Sequence, residues 1–134
     1  MTLSNILQLI RIKDWFKNLI IFFPIIFSGK LLEYSNYFYL LIGFIFFSFV
    51  CSLIYILNDI IDRDKDKKHP IKKNIKPLAS GLISMKTAII ILMTLIIISL
   101  LGFTFNNDIR LSILMYVGIS LLYIFFVKYI PYAE

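Results

Sequence analysis

Hydrophobic positions in this chain run in long blocks, rather than in the alternation of a half-buried strand or the narrow stripe of a surface helix. Residues 37–57, 87–105 and 111–127 carry no charged side chain. Each is close to the roughly 17 to 25 residues that a helix needs to cross a hydrocarbon core about 30 Å thick. A fourth block, 15–32, is apolar at its centre but has Lys17 and Lys30 near its ends and Pro24 inside, where a missing backbone donor kinks a helix. The pattern predicts an all-α fold: a polytopic transmembrane bundle of four helices at about 15–32, 37–57, 87–105 and 111–127, with a polar loop over 58–86. The first block follows basic residues as a secretory signal does, but no small-x-small cleavage site follows Phe27, so it is read as an uncleaved helix. Trp15 at its start is read as an interfacial anchor.

Composition strengthens this picture. Of 134 residues 60% are apolar, against about 45 to 50% in soluble chains, and mean hydropathy is +0.86. Five Gly, four Pro and a single Cys exclude collagen-like, disordered and disulfide-framework chains. Cys51 lies within an apolar block and reads as a small packed residue. Ser48, Ser52, Gly43, Gly102 and Gly118 read as small residues that let helices approach.

The net charge of +6 does not indicate nucleic acid, because the positive excess sits where membrane topology calls for it. Of the 14 Lys and Arg, all but Lys30 and Arg110 fall on one side of the predicted bundle. That side is expected to be cytoplasmic, with the N-terminus and the 58–86 loop there, in a multi-pass protein of a bacterial inner membrane or its equivalent. The second outer loop, Asn106 to Arg110, reads as a plain polar turn.

Chemistry concentrates where the second helix meets the polar loop. If that helix continues, about 100° per residue places Asn58, Asp59, Asp62 and Asp66 within an arc of about 100°, with Asp64 pointing away. Like charges at these spacings repel, so the face is unfavourable unless a cation or a basic partner sits among the acids. Oxygen ligands without Cys or a second His suit Mg²⁺ rather than zinc, and Mg²⁺ is commonly shared between carboxylates and substrate phosphates. The lysines that follow, Lys67, Lys68, Lys72, Lys73 and Lys76, are placed to neutralise phosphate or a departing pyrophosphate. The alternative is a solvated, positive-inside loop without chemistry. His69 falls outside the acidic arc and is not read as a ligand; its role, a hydrogen bond to phosphate or to the loop, is left open.

Asn58, Asp59, Asp62 and Asp66 match every fixed position of the N-D-x-x-D-x-x-x-D motif of the UbiA superfamily of intramembrane prenyltransferases, which this sequence resembles. Asp66 to Pro70 and Lys76 to Gly81 are similar to that superfamily's D-[KR]-x-H-P and [KR]-P-[IL]-A-S-G stretches. Arg11 to Asn18 is similar to the R-P-x-x-W-x-K-N opening of its decaprenyl-phosphate phosphoribosyltransferase subgroup, with Ile12 in place of proline and Ile75 as an extra residue before Lys76.

The resemblance implies the N-terminal portion of a nine-helix fold whose second aspartate-rich motif lies on a later loop. It implies Asp59, Asp62 and Asp66 as catalytic carboxylates that, with Asn58, hold Mg²⁺ and a diphosphate. Lys17, Asn18, Lys72, Lys73 and Lys76 are implied as phosphate contacts. The expected partners are a polyprenyl lipid, a diphosphate-bearing donor, membrane lipids and a C-terminal half, in the same gene or separately encoded; nucleic acid is not among them. The implied reaction is phosphoribosyl transfer from phosphoribosyl pyrophosphate to a polyprenyl phosphate. Prenyl transfer from a polyprenyl diphosphate to an aromatic or lipid acceptor is one alternative, and a catalytically inactive half or assembly subunit is another. CDP-alcohol phosphotransfer is set aside, since its D-G-x-x-A-R opening has no counterpart here.

Overall fold

The computed structural model describes residues 2–102, 104 and 107–130, and every regular element among them is a helix. A short helix α1 (Leu3–Leu9) precedes a 3₁₀ segment (Ile12–Phe22) and a one-turn helix α2 (Phe23–Phe27). The long helix α3 (Tyr34–Ile61) is followed by two short helices, α4 (Arg63–Lys68) and α5 (Lys72–Ile75). Two further long helices, α6 (Met85–Gly102) and α7 (Asn107–Phe125), lead to a closing 3₁₀ turn (Val127–Tyr129). The expected end of the third long helix at residue 105 and the start of the outer turn at Asn106 lie outside the described residues.

Three helical stretches among the described residues are long and apolar enough to cross a membrane: Tyr37–Ile61, Met85–Gly102 and Arg110–Tyr129. The expected fourth, over 15–32, is not a continuous α-helix. Its first part is an 11-residue 3₁₀ segment, and its α-helical part, with Pro24 in the first turn, is only five residues long. Gly29, at φ 71°, then turns the chain away. Side-chain hydrogen bonds to α3 account for the departure. The Trp15 indole Nε1 donates to Ser52 Oγ at 3.0 Å, and Asn18 Nδ2 donates to Ser48 Oγ at 3.0 Å. Trp15 is thus turned against α3, with its ring edge-on to Phe49, rather than serving as a free interfacial anchor.

The α3 helix is the axis of the fold, contacting the 3₁₀ segment, α6 and α7. At 28 residues it is about 42 Å long at 1.5 Å per residue, so its acidic end stands clear of a ~30 Å hydrocarbon layer. Toward that end Leu9, Ile56, Leu78, Ile83, Ala88 and Leu95 form one buried cluster. By contrast α7 keeps Leu111, Leu114, Met115, Ile119 and Leu122 exposed, as a lipid-facing helix does.

Glycine explains one close approach and not another. A Cβ at Gly102 would lie 2.8 Å from the Phe46 ring of α3, whereas one at Gly118 would meet nothing within 4 Å. Gly102→Val should therefore lower the detergent-solubilised melting temperature, by overpacking of about 1 to 3 kcal/mol, while Gly118→Val leaves it nearly unchanged. Equal melting points for the two variants would show that the contact between α6 and Phe46 carries no strain.

Candidate functional site

Backbone hydrogen bonds carry the helical path through the acidic motif. Asp62 N–H donates to Asn58 C=O at 2.9 Å and Asp66 N–H to Asp62 C=O at 2.8 Å, so α4 continues the direction of α3 with a break in regularity only at Asp62. Asp59 and Asp66 are both buried at 3% exposure, and Asp64 faces outward.

Burying carboxylates is unfavourable unless they are paired. Here each one has a cationic partner. Lys76 Nζ lies 2.7 Å from Asp59 Oδ1 and 2.7 Å from Asp66 Oδ2, bridging the two acids. Arg11 Nη2 contacts Asp59 Oδ1 at 3.2 Å, and its guanidinium stacks 4.4 Å from the centre of the Tyr55 ring. Lys128 Nζ lies 2.7 Å from Asp62 Oδ1 and 3.1 Å from Asn58 Oδ1. The acidic face is therefore divided between two lysines, and no group of three His, Cys, Asp or Glu converges as a metal-ligand set among the described residues.

Each partner is held in position by local structure. Arg11 adopts the left-handed region (φ 52°), which costs a residue with a Cβ about 1 to 2 kcal/mol. Flanking contacts offset that cost: Ser52 Oγ donates to the Ile10 carbonyl at 2.6 Å while accepting the Trp15 indole N–H. The serine pair expected only to let helices approach thus also anchors the segment that carries Arg11. Lys76 is placed by the turns around it. His69 Nδ1 accepts the backbone N–H groups of Ile71 and Lys72 at 3.2 and 3.3 Å, turning the chain into α5 and giving His69 a loop role. Gln8 Nε2 donates to the Ile75 carbonyl at 2.8 Å, tying α1 to the loop. Beyond Lys76, Leu78 and Ala79 are buried, and Gly81 takes φ 82°, which gives the Lys76 to Gly81 stretch its physical sense: cation, buried pair, left-handed turn.

A cleft of about 640 Å³ opens beside Asp59, with Arg11, Lys13, Lys72 and Lys76 as its basic lining and Gln8 and Asp14 among its polar walls. Of the expected phosphate contacts, Lys72 and Lys76 line it, whereas Lys73 is exposed and does not. Lys17 and Asn18 lie elsewhere, on a small cavity of about 190 Å³ with Cys51, Tyr55 and Tyr116, where Lys17 pairs with Asp14 at 2.7 Å. Arg11, Lys13 and Lys128 were not legible as site residues. Arg11 opens the motif that runs to Asn18, a signal available locally, but Lys128 reaches Asn58 from 70 residues away.

The profile of the UbiA prenyltransferase family matches residues 21–134. The chain belongs to that family. Among curated proteins, the decaprenyl-phosphate phosphoribosyltransferase of Mycobacterium tuberculosis is 28% identical over 98% of this chain and 45% of its own length. That of Corynebacterium glutamicum is 28% identical over 98% of this chain and 41% of its own. The nodulation protein NoeC of Azorhizobium caulinodans is 35% identical over 85% of this chain and 37% of its own. The chain thus spans less than half the length of these relatives. No solved structure matches it. UbiA membership together with the three long apolar helices makes this an integral membrane protein.

Burial alone would favour the neutral amine at Lys76, but the hydrogen bonds it donates to Asp59 and Asp66 outweigh that and hold the ammonium pKa above its ordinary value. A raised pKa means that the tie is complete at neutral pH and is lost only as pH rises through that raised value. Lys76→Met should open the 69–84 segment, and trypsin should then cut at Lys72 and Lys73 about tenfold faster, equivalent to ~1.4 kcal/mol in a local opening equilibrium. An unchanged cleavage rate in limited proteolysis would mean that Gln8 and the buried leucines hold the loop without Lys76.

Proposed function

We propose that this chain supplies the diphosphate-binding half of a Mg²⁺-dependent UbiA-type transferase, and that the reaction is phosphoribosyl transfer from phosphoribosyl pyrophosphate to a polyprenyl phosphate. The observation that carries this reading is the cleft at Asp59, which sets four basic side chains beside an acidic face of matching motif. The relatives named decaprenyl-phosphate phosphoribosyltransferase, aligned over 98% of the chain, favour a phosphoribosyl donor. The remaining wall, with a second acidic face, is assigned to sequence corresponding to the rest of those relatives, continuous with this chain or separately encoded.

The donor set suits a hard divalent cation. Asp59 and Asp66 already direct one oxygen each at a common cationic point, the Lys76 nitrogen, and Asp62 and Asn58 do the same at Lys128. These four residues would hold Mg²⁺, which when bound supplies charge neutralisation for diphosphate oxygens. A phosphate oxygen of the acceptor forms the new bond to the anomeric carbon as the bond from that carbon to the pyrophosphate oxygen breaks, and no proton need be moved. Arg11, Lys13, Lys72 and Lys76 face the charge that gathers on the departing pyrophosphate. Prenyl transfer from a polyprenyl diphosphate would use the same face and is the second reading, which the family's name supports.

Membranes containing the gene product should move labelled phosphoribose from phosphoribosyl pyrophosphate to polyprenyl phosphate, and Asp62→Asn should lower that rate by about 10² or more without reducing insertion. Label transferred instead from a polyprenyl diphosphate would replace the first reading with the second. Full activity in Asp62→Asn would remove the carboxylate from the mechanism.

The positive-inside distribution of Lys and Arg supports a cytoplasmic cleft. Asn74→Cys should therefore resist a membrane-impermeant maleimide in intact cells and react after lysis. Cys51, the one native cysteine, is buried and adds little background. Labelling of intact cells would invert the topology.

A further inference from the structure

The reading of the acidic face as a cation–diphosphate site is the basis for one further step. We propose that Lys76 is an internal counter-ion occupying the divalent cation's place at Asp59 and Asp66, and that a diphosphate draws it away, so that cation and diphosphate bind in concert.

Three observations carry this. First, the Lys76 nitrogen sits at 2.7 Å from an oxygen of each acid, the bridging position that a shared cation would take. Second, the network is already balanced: Asp59, Asp62 and Asp66 face Arg11, Lys76 and Lys128, three charges of each sign, so no attraction is left over for a free cation. Third, Lys76 also lines the basic cleft, so an anion arriving there meets the same ammonium.

A divalent cation arriving alone has to displace an ammonium whose side chain is only 18% exposed, leaving that charge without a partner, or to bind beside it against repulsion. A diphosphate in the cleft gives the displaced ammonium new acceptors and adds oxygens for the cation. Each ligand therefore lowers the cost of admitting the other, which is a positive coupling between two adjacent sites. The arrangement keeps the face neutral when substrate is absent and favours admission of the pair.

The test is Mn²⁺ binding followed by electron paramagnetic resonance, with the full chain in phosphatidylcholine nanodiscs. Lys76→Gln should bind Mn²⁺ alone about tenfold or more tightly than the wild type, within the range usual for coupled sites. Lys76→Arg keeps the bridging charge and should stay near the wild type. Lys67→Gln removes an equal charge from the exposed side of α4, next to Asp66, and should also change little. Adding methylene diphosphonate should tighten wild-type binding until Lys76→Gln has lost most of its advantage, with helical circular dichroism the same throughout.

Equal tightening by Lys67→Gln and Lys76→Gln would reduce the effect to net charge and overturn the exchange. Equal affinity of wild type and Lys76→Gln would overturn it as well, while leaving the cation site standing. No Mn²⁺ bound by any variant, with or without diphosphonate, would remove the cation reading and the exchange together. Failure of phosphoribosyl transfer with the expected Mn²⁺ pattern would leave the exchange intact and change only the donor.

Discussion

Asp59 is the residue on which the arrangement of the chain depends. A carboxylate at 3% exposure requires compensation, and its two cations come from opposite directions in sequence, Arg11 from before the first apolar block and Lys76 from beyond the acidic motif. Satisfying that one group draws the N-terminal segment and the polar loop onto the end of α3. The apolar cluster of Leu9, Ile56, Leu78 and Ile83 then closes around the junction, drawing on each of the same three regions, with two members from the loop. Charge pairing and apolar burial thus select the same geometry.

The polar contacts deeper along α3 extend this logic toward the membrane. Ser48 and Ser52, both fully buried, give the 3₁₀ segment specific attachment points where an apolar helix would offer only unspecific contact. In a hydrocarbon layer the driving force for helix association is weak, and side-chain hydrogen bonds with close packing replace it. Arg11 can hold a left-handed backbone because the residues on both sides of it are fixed through Ser52. Strain stored next to a charged cluster is a common feature of functional sites, and here it aims a guanidinium between Tyr55 and Asp59.

The three uncharged apolar blocks are legible because each is free of charge over a span's length, and the acidic face because helical periodicity carries through Asp62. The block over 15–32 reads as a fourth regular span, whereas the structure divides it into a 3₁₀ segment and a short α-helix. Its hydropathy resembles that of the others, and what sets it apart is Trp15 and Asn18 finding partners 37 and 30 residues away, which no local pattern records. Lysines were harder to place than acids for a related reason. A long flexible side chain can serve solvent, a neighbour or a site, and its sequence position does not say which. Lys72, Lys73 and Lys76 look alike in sequence, yet one bridges two carboxylates, one lines the cleft and one faces solvent. Lys128 reads as an interfacial charge until α7 brings it back to Asp62.

That return of Lys128 bears on how the acidic face is held. Asp62 and Asn58 lie on the side of α3 that meets the end of α7, whereas Asp59 and Asp66 lie toward the loop carrying Lys76, so adjacent positions of one motif answer to two separate parts of the chain. Movement of the 69–84 segment would unbind Asp66 and leave Asp59 to Arg11 alone, while Asp62 stays paired. Lys128 is the more rigidly placed of the two lysines, since its side chain is 8% exposed and it follows directly on a helix that spans the bundle. A fixed pair beside a releasable one lets the face open in part without losing its counter-charge altogether. This asymmetry suits the diphosphate-binding role proposed for the face.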